Sequence, residues 1–366
     1  MNRPNRPNGL NRFPHLNRSF RLNRRILLSA ASSGTLAAAL PHHGRLPERP
    51  AGPSDRHRVR REEIAALHRA AAAVRHGDSR YGGGSAQAQA AGHLLDQWAL
   101  PLFGRPLPPT REHELCAICA ELARLAGWAA LDTGRHAAAR RHFDRALYWA
   151  RAAEDPDAIT YVLATTALHA ALYGRPATAL DMIQGALGPA THHASTRALA
   201  FARLVEARAH ARASDGRSAG IALASAERLL DAARPGGGPE WLDFLTHPRL
   251  AADAAEIHRD LGDSRACLVW HAQAEAMAPN AFTRSVGMRL AVVATAHLKA
   301  GDLEQSLAVG HRSVDILRQV ESRRARDYVL RLVHGLTPHR GLRAVDAFLS
   351  RVRRELNTHA LNASGA

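Results

Sequence analysis

A chain of 366 residues has room for two or three ordinary domains or one elongated repeat array; this one is 46% hydrophobic but only 5% aromatic. Alanine supplies much of the apolar fraction, β-branched runs are scarce and no alternating strand pattern occurs, so the composition excludes a sheet-built fold and predicts an all-α one. The net charge of +16 is concentrated at the start, where residues 1–61 carry 13 Arg against Glu48 and Asp55, making a basic tail and not a basic domain.

Residues 1–25 repeat Asn-Arg at 2, 5, 11, 17 and 23, and the interspersed prolines and arginines break any amphipathic period. This stretch is expected to be disordered, with non-specific contact to nucleic acid phosphates as one use of its charge. Arg24-Arg25 then precedes an apolar run of 15 residues, Ile26 to Leu40, containing Ala37-x-Ala39. That run is too short for a stable membrane span. It reads either as a twin-arginine export signal, placing the protein outside the cytoplasm, or as a short linker helix ending at Pro41. Residues 41–58 are a Pro-rich linker, and 358–366 are expected to be a disordered tail.

From residue 59 to 357 the pattern is helical throughout. "RREEIAALHRAAAAVRHGDSRYGGG" and "AQAQAAGHLLDQWALPLF" predict an opening helix pair. Cys116 and Cys119 form a C-x-x-C within "HELCAICAELARLAGW", but no second pair follows at zinc spacing. They are read as small helix-packing residues. With only three cysteines there is no disulfide framework, and a reducing, cytoplasmic setting is the default.

"AGWAALDTGRHAAARRHFDRALYWARAAED" then reads as helix, glycine turn, helix, and the unit recurs. Turn residues Gly134, Gly174, Ser214, Gly262 and Gly301 are spaced by 40, 40, 48 and 39 residues. Small and large residues keep step with them. Gly127, Ala167, Ala207, Ala255 and Ala294 stand seven before each turn. Ala139, Phe143 and Ala146 follow the first turn, and Ala179, Ile183 and Ala186 the second, as a small-large-small set. The fifth unit drifts to Ser306, Gly310 and Ser313. Small residues on facing helices allow close approach, and the larger one fills the gap between hairpins. The pattern is similar to the tetratricopeptide repeat, with a longer period than its usual 34 residues. It predicts a right-handed α-solenoid of about five such hairpins, closed by the charged pairs at either end, "ESRRARDYVLRLVHGL" and "GLRAVDAFLSRVRREL" being the last.

The stretches "DSRYGGG", "ELARLAGWAALDTGRHAAARRHFDRALYWARAAED", "EARAHA", "EIHRDLGD" and "AHLKAGDLEQS" together resemble the ligand-sensing half of actinobacterial Xre/Cro-type helix-turn-helix transcriptional regulators. "NRRILL…ALP" is similar to the connector that follows the DNA-binding unit in such proteins. The resemblance implies regulation through binding. It does not extend to a helix-turn-helix, since residues 1–25 cannot fold into one, so sequence-specific DNA binding by this chain is not expected.

No catalytic constellation stands out. "YGGGS" at 81–85 and "PGGGP" at 235–239 follow no strand and lack Gly-Lys-Ser/Thr, so they are not phosphate cradles. His210, His258 and His297 share one place, four residues before a turn, and are read as packing or hydrogen-bonding residues. No enzyme activity, cofactor or metal is expected. The predicted role is regulatory binding of a peptide, small ligand or protein in a concave groove, with oligomer formation left open. In tetratricopeptide-like hairpins the first helix lines that groove, which places Arg124, Trp128, Tyr161, Leu168, Phe201, Arg208, Glu256 and Arg259 there. The aromatic and aliphatic side chains supply contact area and the arginines are expected to fork onto a ligand carboxylate.

Overall fold

The computed structural model describes residues 58–188, 191, 193–234 and 237–356, all within the compact unit from Leu46 to Ala366. The basic tail, the apolar segment 26–40, almost all of the linker 41–58 and residues 358–366 lie outside the described residues. The described residues are all-helical, with no strand among them.

Fourteen α-helices are described: α1 (Arg61–Tyr81), α2 (Ala86–His93), α3 (Pro109–Asp132), α4 (His136–Ala152), α5 (Pro156–Leu172), α6 (Pro176–Ala186) and α7 (Thr196–Arg212), then α8 (Gly216–Asp231), α9 (His247–Asp260), α10 (Ser264–Ala274), α11 (Thr283–Lys299), α12 (Leu303–Leu317), α13 (Arg323–Gly335) and α14 (Arg343–Glu355). A π turn, Leu94–Ala99, and a 3-10 turn, Leu100–Gly104, extend α2. The strongest packing is within the pairs α3–α4, α5–α6, α7–α8, α9–α10 and α11–α12.

Local chemistry sets the five turns inside these pairs. Gly134, Gly174, Gly262 and Gly301 have φ of 80°, 73°, 83° and 84°, and Ser214 has 60°. Left-handed backbone at the helix C-terminus ends the first helix, and glycine adopts it without a Cβ clash. In the last three pairs the next helix then starts on a side-chain cap. Asp215, Asp263 and Asp302 each accept a hydrogen bond from the backbone N–H three residues on. The three recurring histidines are part of this corner: His210, His258 and His297 approach Asp215, Asp263 and Asp302 through Nδ1 at 3.3, 4.0 and 3.8 Å.

Ala139, Phe143, Ala146, Ala167, Ala179, Ile183, Ala207, Ala255, Ala294 and Gly127 are all buried. The reason for Gly127 is direct: a Cβ there would lie 2.6 Å from the Phe143 ring. Gly310 occupies the equivalent of Phe143 in the fifth pair, and the space is taken by Phe348 from α14, whose ring lies 3.1 Å from where a Cβ would be.

The odd-numbered helices also pack on one another, α5 on α7, α7 on α9, α9 on α11 and α11 on α13. In addition α1 packs on α11, and α13 on α3. The two charged end pairs, expected as caps of the array, therefore meet. The three glycines of "YGGGS" make this contact. Gly84 N–H donates to the Glu321 carbonyl (2.8 Å) and Glu321 N–H donates to the Tyr81 carbonyl (2.7 Å). A Cβ on Gly82 or Gly84 would come within 2.7 Å of the Glu321 carbonyl oxygen, and one on Gly83 within 2.6 Å of Asp132. Charge is buried at the junction because it is paired: Arg284 reaches Asp78 (2.7 Å) and Asp132 (3.0 Å), and Arg324 reaches Asp132 (2.9 Å).

Candidate functional site

The inner faces of the odd-numbered helices line a cavity of about 430 Å³ that is open to solvent. Side chains at helical spacing reach it from every one of them: Arg75 and Asp78 on α1, Arg124 and Trp128 on α3, Tyr161, Thr165 and Leu168 on α5, Phe201 and Arg208 on α7, Asp253 and Glu256 on α9, Arg284, Met288 and Arg289 on α11, Arg324 and Tyr328 on α13. Seven of the eight groove positions named from the sequence are on its wall: Arg124, Trp128, Tyr161, Leu168, Phe201, Arg208 and Glu256. Arg259 is not. It lies three residues before its turn, buried behind the wall, where its guanidinium faces the Tyr328 ring at 5.5 Å and pairs with Glu256 (3.2 Å) and Asp260 (2.6 Å).

Arg208 also departs from expectation. It lines the cavity, but Asp253 and Glu256 hold it at 2.6 Å each, so its fork is already filled by the protein's own carboxylates. Tyr328 donates its hydroxyl hydrogen to Glu256. Burial pushes the Glu256 carboxyl up, yet Arg208, Arg259 and Arg212 together overcome that and hold it well below the usual carboxylate range. This cluster is a buried, charge-balanced brace between α7, α9 and α13.

Most other guanidinia at the wall are likewise paired: Arg75 with Glu121, Arg249 with Asp253 (2.7 Å), Arg284 and Arg324 as above. Two have no carboxylate. Arg124, 6% exposed, forms no hydrogen bond or ion pair among the described residues and lies over the Tyr161 ring at 4.8 Å. Arg289 meets only the Nδ1 of His271, at 3.2 Å, and burial lowers its pKa. The hydroxyl of Thr165, one helical turn beyond Tyr161, is buried without a partner.

An apolar panel completes the wall. Tyr161 stacks on Trp241 with ring centroids 4.9 Å apart and tilts against Phe201 at 4.8 Å; Phe244 approaches both. Trp241 and Phe244 belong to no helix pair. They come from the segment around the 3-10 turn Glu240–Leu242. The sequence signal for them was the 48-residue step between Ser214 and Gly262, longer than its neighbours. The added stretch "PEWLDFL" buries Leu242 and Leu245 and turns its rings inward.

Cys116, Cys119 and Cys267 are buried free thiols. Burial pushes Cys116 and Cys267 up to about 12 and Cys119 well above its ordinary value, which suits packing residues and not nucleophiles. Among the described residues no group of three or more His, Cys, Asp or Glu side chains is arranged to hold a metal ion. No described helix is long and apolar enough to cross a membrane. No protein-family model, curated protein or solved structure matches the chain.

Proposed function

We propose that residues 59–357 form a non-enzymatic ligand-binding module, a right-handed solenoid of tetratricopeptide-like hairpins that serves a regulatory circuit. The resemblance to the sensing half of Xre-type regulators motivates the regulatory part. One observation carries the binding part: the cavity of about 430 Å³ between the first helices of the pairs, where a clustered aromatic panel faces charged side chains that are mostly paired with one another. Binding sites for small molecules have this size, and they set aromatic contact area beside placed polar groups. On the wall, Arg284 of α11 is tied to Asp78 of α1 and to Asp132 of α3, so the helices on that side are held together across the cavity. This favours a compact ligand over an extended peptide running along the array.

The ligand transmits its presence through the same helices. Every odd-numbered helix contributes to the wall, so a molecule that contacts α1, α3 and α11 together stabilises their junction relative to any state in which the ends part. Thermal-shift screening of the full chain against small organic molecules tests the proposal, with Ser285→Trp as the control that fills the cavity from α11. Compounds that stabilise the natural chain in a saturable way and leave Ser285→Trp unshifted are the expected result. Hits that stabilise both chains equally, or no hits at all, contradict it.

A further inference from the structure

Arg124 stands on the cavity wall with no carboxylate partner, 6% exposed as a residue, and its guanidinium is not among the fully buried nitrogens of the described residues. The Tyr161 ring beneath it recovers part of the lost hydration, but a cation over a ring face is a weaker partner than a carboxylate. The paired arginines of the same wall show that this protein supplies carboxylates where it needs them. Glu240, also on the wall, is exposed and forms no ion pair with Arg124. Beside Tyr161 on α5, the Thr165 hydroxyl is buried with its hydrogen-bonding capacity unused. Arg289, on the same wall, is a second guanidinium without an ion pair among the described residues.

We infer that the cavity takes a compact organic acid with a flat apolar body, its carboxylate held by Arg124 and Thr165 and its ring lying against the Tyr161, Phe201 and Trp241 panel. The inference rests on the reading of the cavity as a ligand site and specifies the ligand class. A carboxylate suits a planar guanidinium fork plus one hydroxyl. Phosphate, more highly charged and more strongly hydrated, needs more donors than this wall offers beside its aromatic rings.

The test titrates the full chain with 2-naphthoate, 2-naphthamide and inorganic phosphate, following tryptophan fluorescence from Trp128 and Trp241 and the melting temperature. The acid is expected to bind at least tenfold more tightly than the amide, and phosphate not to compete with it. Arg124→Met should weaken the acid at least tenfold, leave the amide unchanged, and bring the two to parity. Without any probe, Arg124→Met should melt at about the same temperature as the natural chain, because the substitution breaks no hydrogen bond or ion pair and keeps an aliphatic side chain against Tyr161. A fall of several degrees would instead make Arg124 a structural residue and overturn the inference. Equal affinity of acid and amide for the natural chain, undiminished acid binding by Arg124→Met, or competition by phosphate also overturns it. If the amide binds and the acid does not, the carboxylate seat fails while the cavity reading survives; if neither binds, both fail.

Discussion

Replacing Asp132 by alanine removes the carboxylate on which the junction between the first and last helices converges. Asp132 is 0% exposed, and its two oxygens accept from Gly83 N–H at 2.8 Å, Arg284 at 3.0 Å and Arg324 at 2.9 Å. Arg284 keeps Asp78 in the variant, but Arg324 loses its ion pair and the Gly83 N–H loses its acceptor. An orphaned buried donor costs about 1–3 kcal/mol, and a broken buried ion pair about 3–5 kcal/mol. The two overlap, so the expected loss is about 3–5 kcal/mol, a fall in melting temperature of roughly 6–10 °C for a unit of this size. Denaturant and thermal unfolding followed by far-ultraviolet circular dichroism measure it. The pH dependence has a definite sign. Burial pushes the Asp132 carboxyl up, and Arg284 and Arg324 more than reverse this, leaving it below its ordinary 3.8. Its contribution is therefore complete at neutral pH and is lost as pH falls below about 4, so the gap between natural and variant chains narrows in acid. A loss below about 1 kcal/mol at pH 7 would mean that the junction does not hold the ends together.

Phe143→Ala should cost about 3–5 kcal/mol by denaturant melting, since the ring is 1% exposed and fills the gap beside Gly127. Gly127→Ala should cost about 1–3 kcal/mol through overpacking against that ring, and less when Phe143 is leucine. Additive effects of the two changes would show that they do not touch. The native chain should resist thiol alkylation at mildly alkaline pH and expose all three cysteines in guanidinium, because their burial suppresses the thiolate; fast labelling of the folded chain would contradict that. His169, lowered to about 4 by burial, His136 and Arg175, and His271, lowered to about 4 by burial and Arg289, stay neutral in the fold while their unfolded counterparts protonate near 6.5. Stability should accordingly be full above 6.5 and decline as pH falls to about 4, with a shallower decline in His169→Phe; a denaturation midpoint that is flat across this window would refute it.

What the sequence disclosed was local. The turn glycines and the small-large-small register are chemistry within a few residues of one another, and the likeness to tetratricopeptide hairpins named eight groove positions, seven of which line one cavity. The remainder depended on contacts between distant parts of the chain. Arg284 and Asp78 are 206 residues apart, and neither is marked by any pattern that names the other. The "YGGGS" glycines looked like loop residues because the backbone they approach, at Glu321, lies at the other end of the unit. Arg208 and Arg259 looked like ligand-binding forks because a residue's charge is legible and its partner is not; Asp253, Glu256 and Asp260 had already claimed them. Gly310 looked like drift in the fifth pair until Phe348 of α14 was seen to fill its place. Helices of the closing pair thus compensate for the small residue.

Hydrogen–deuterium exchange of the full chain with and without 2-naphthoate tests the central claim most directly, because it reports where the ligand acts without assuming the site. Slowed exchange is expected in α3, α5 and α7, around Arg124, Tyr161, Thr165 and Phe201, and in the 240–244 segment, extending to the contact between residues 81–84 and Glu321. Slowed exchange confined to the outer helices α4, α6, α8 and α10, or no change anywhere, would contradict it.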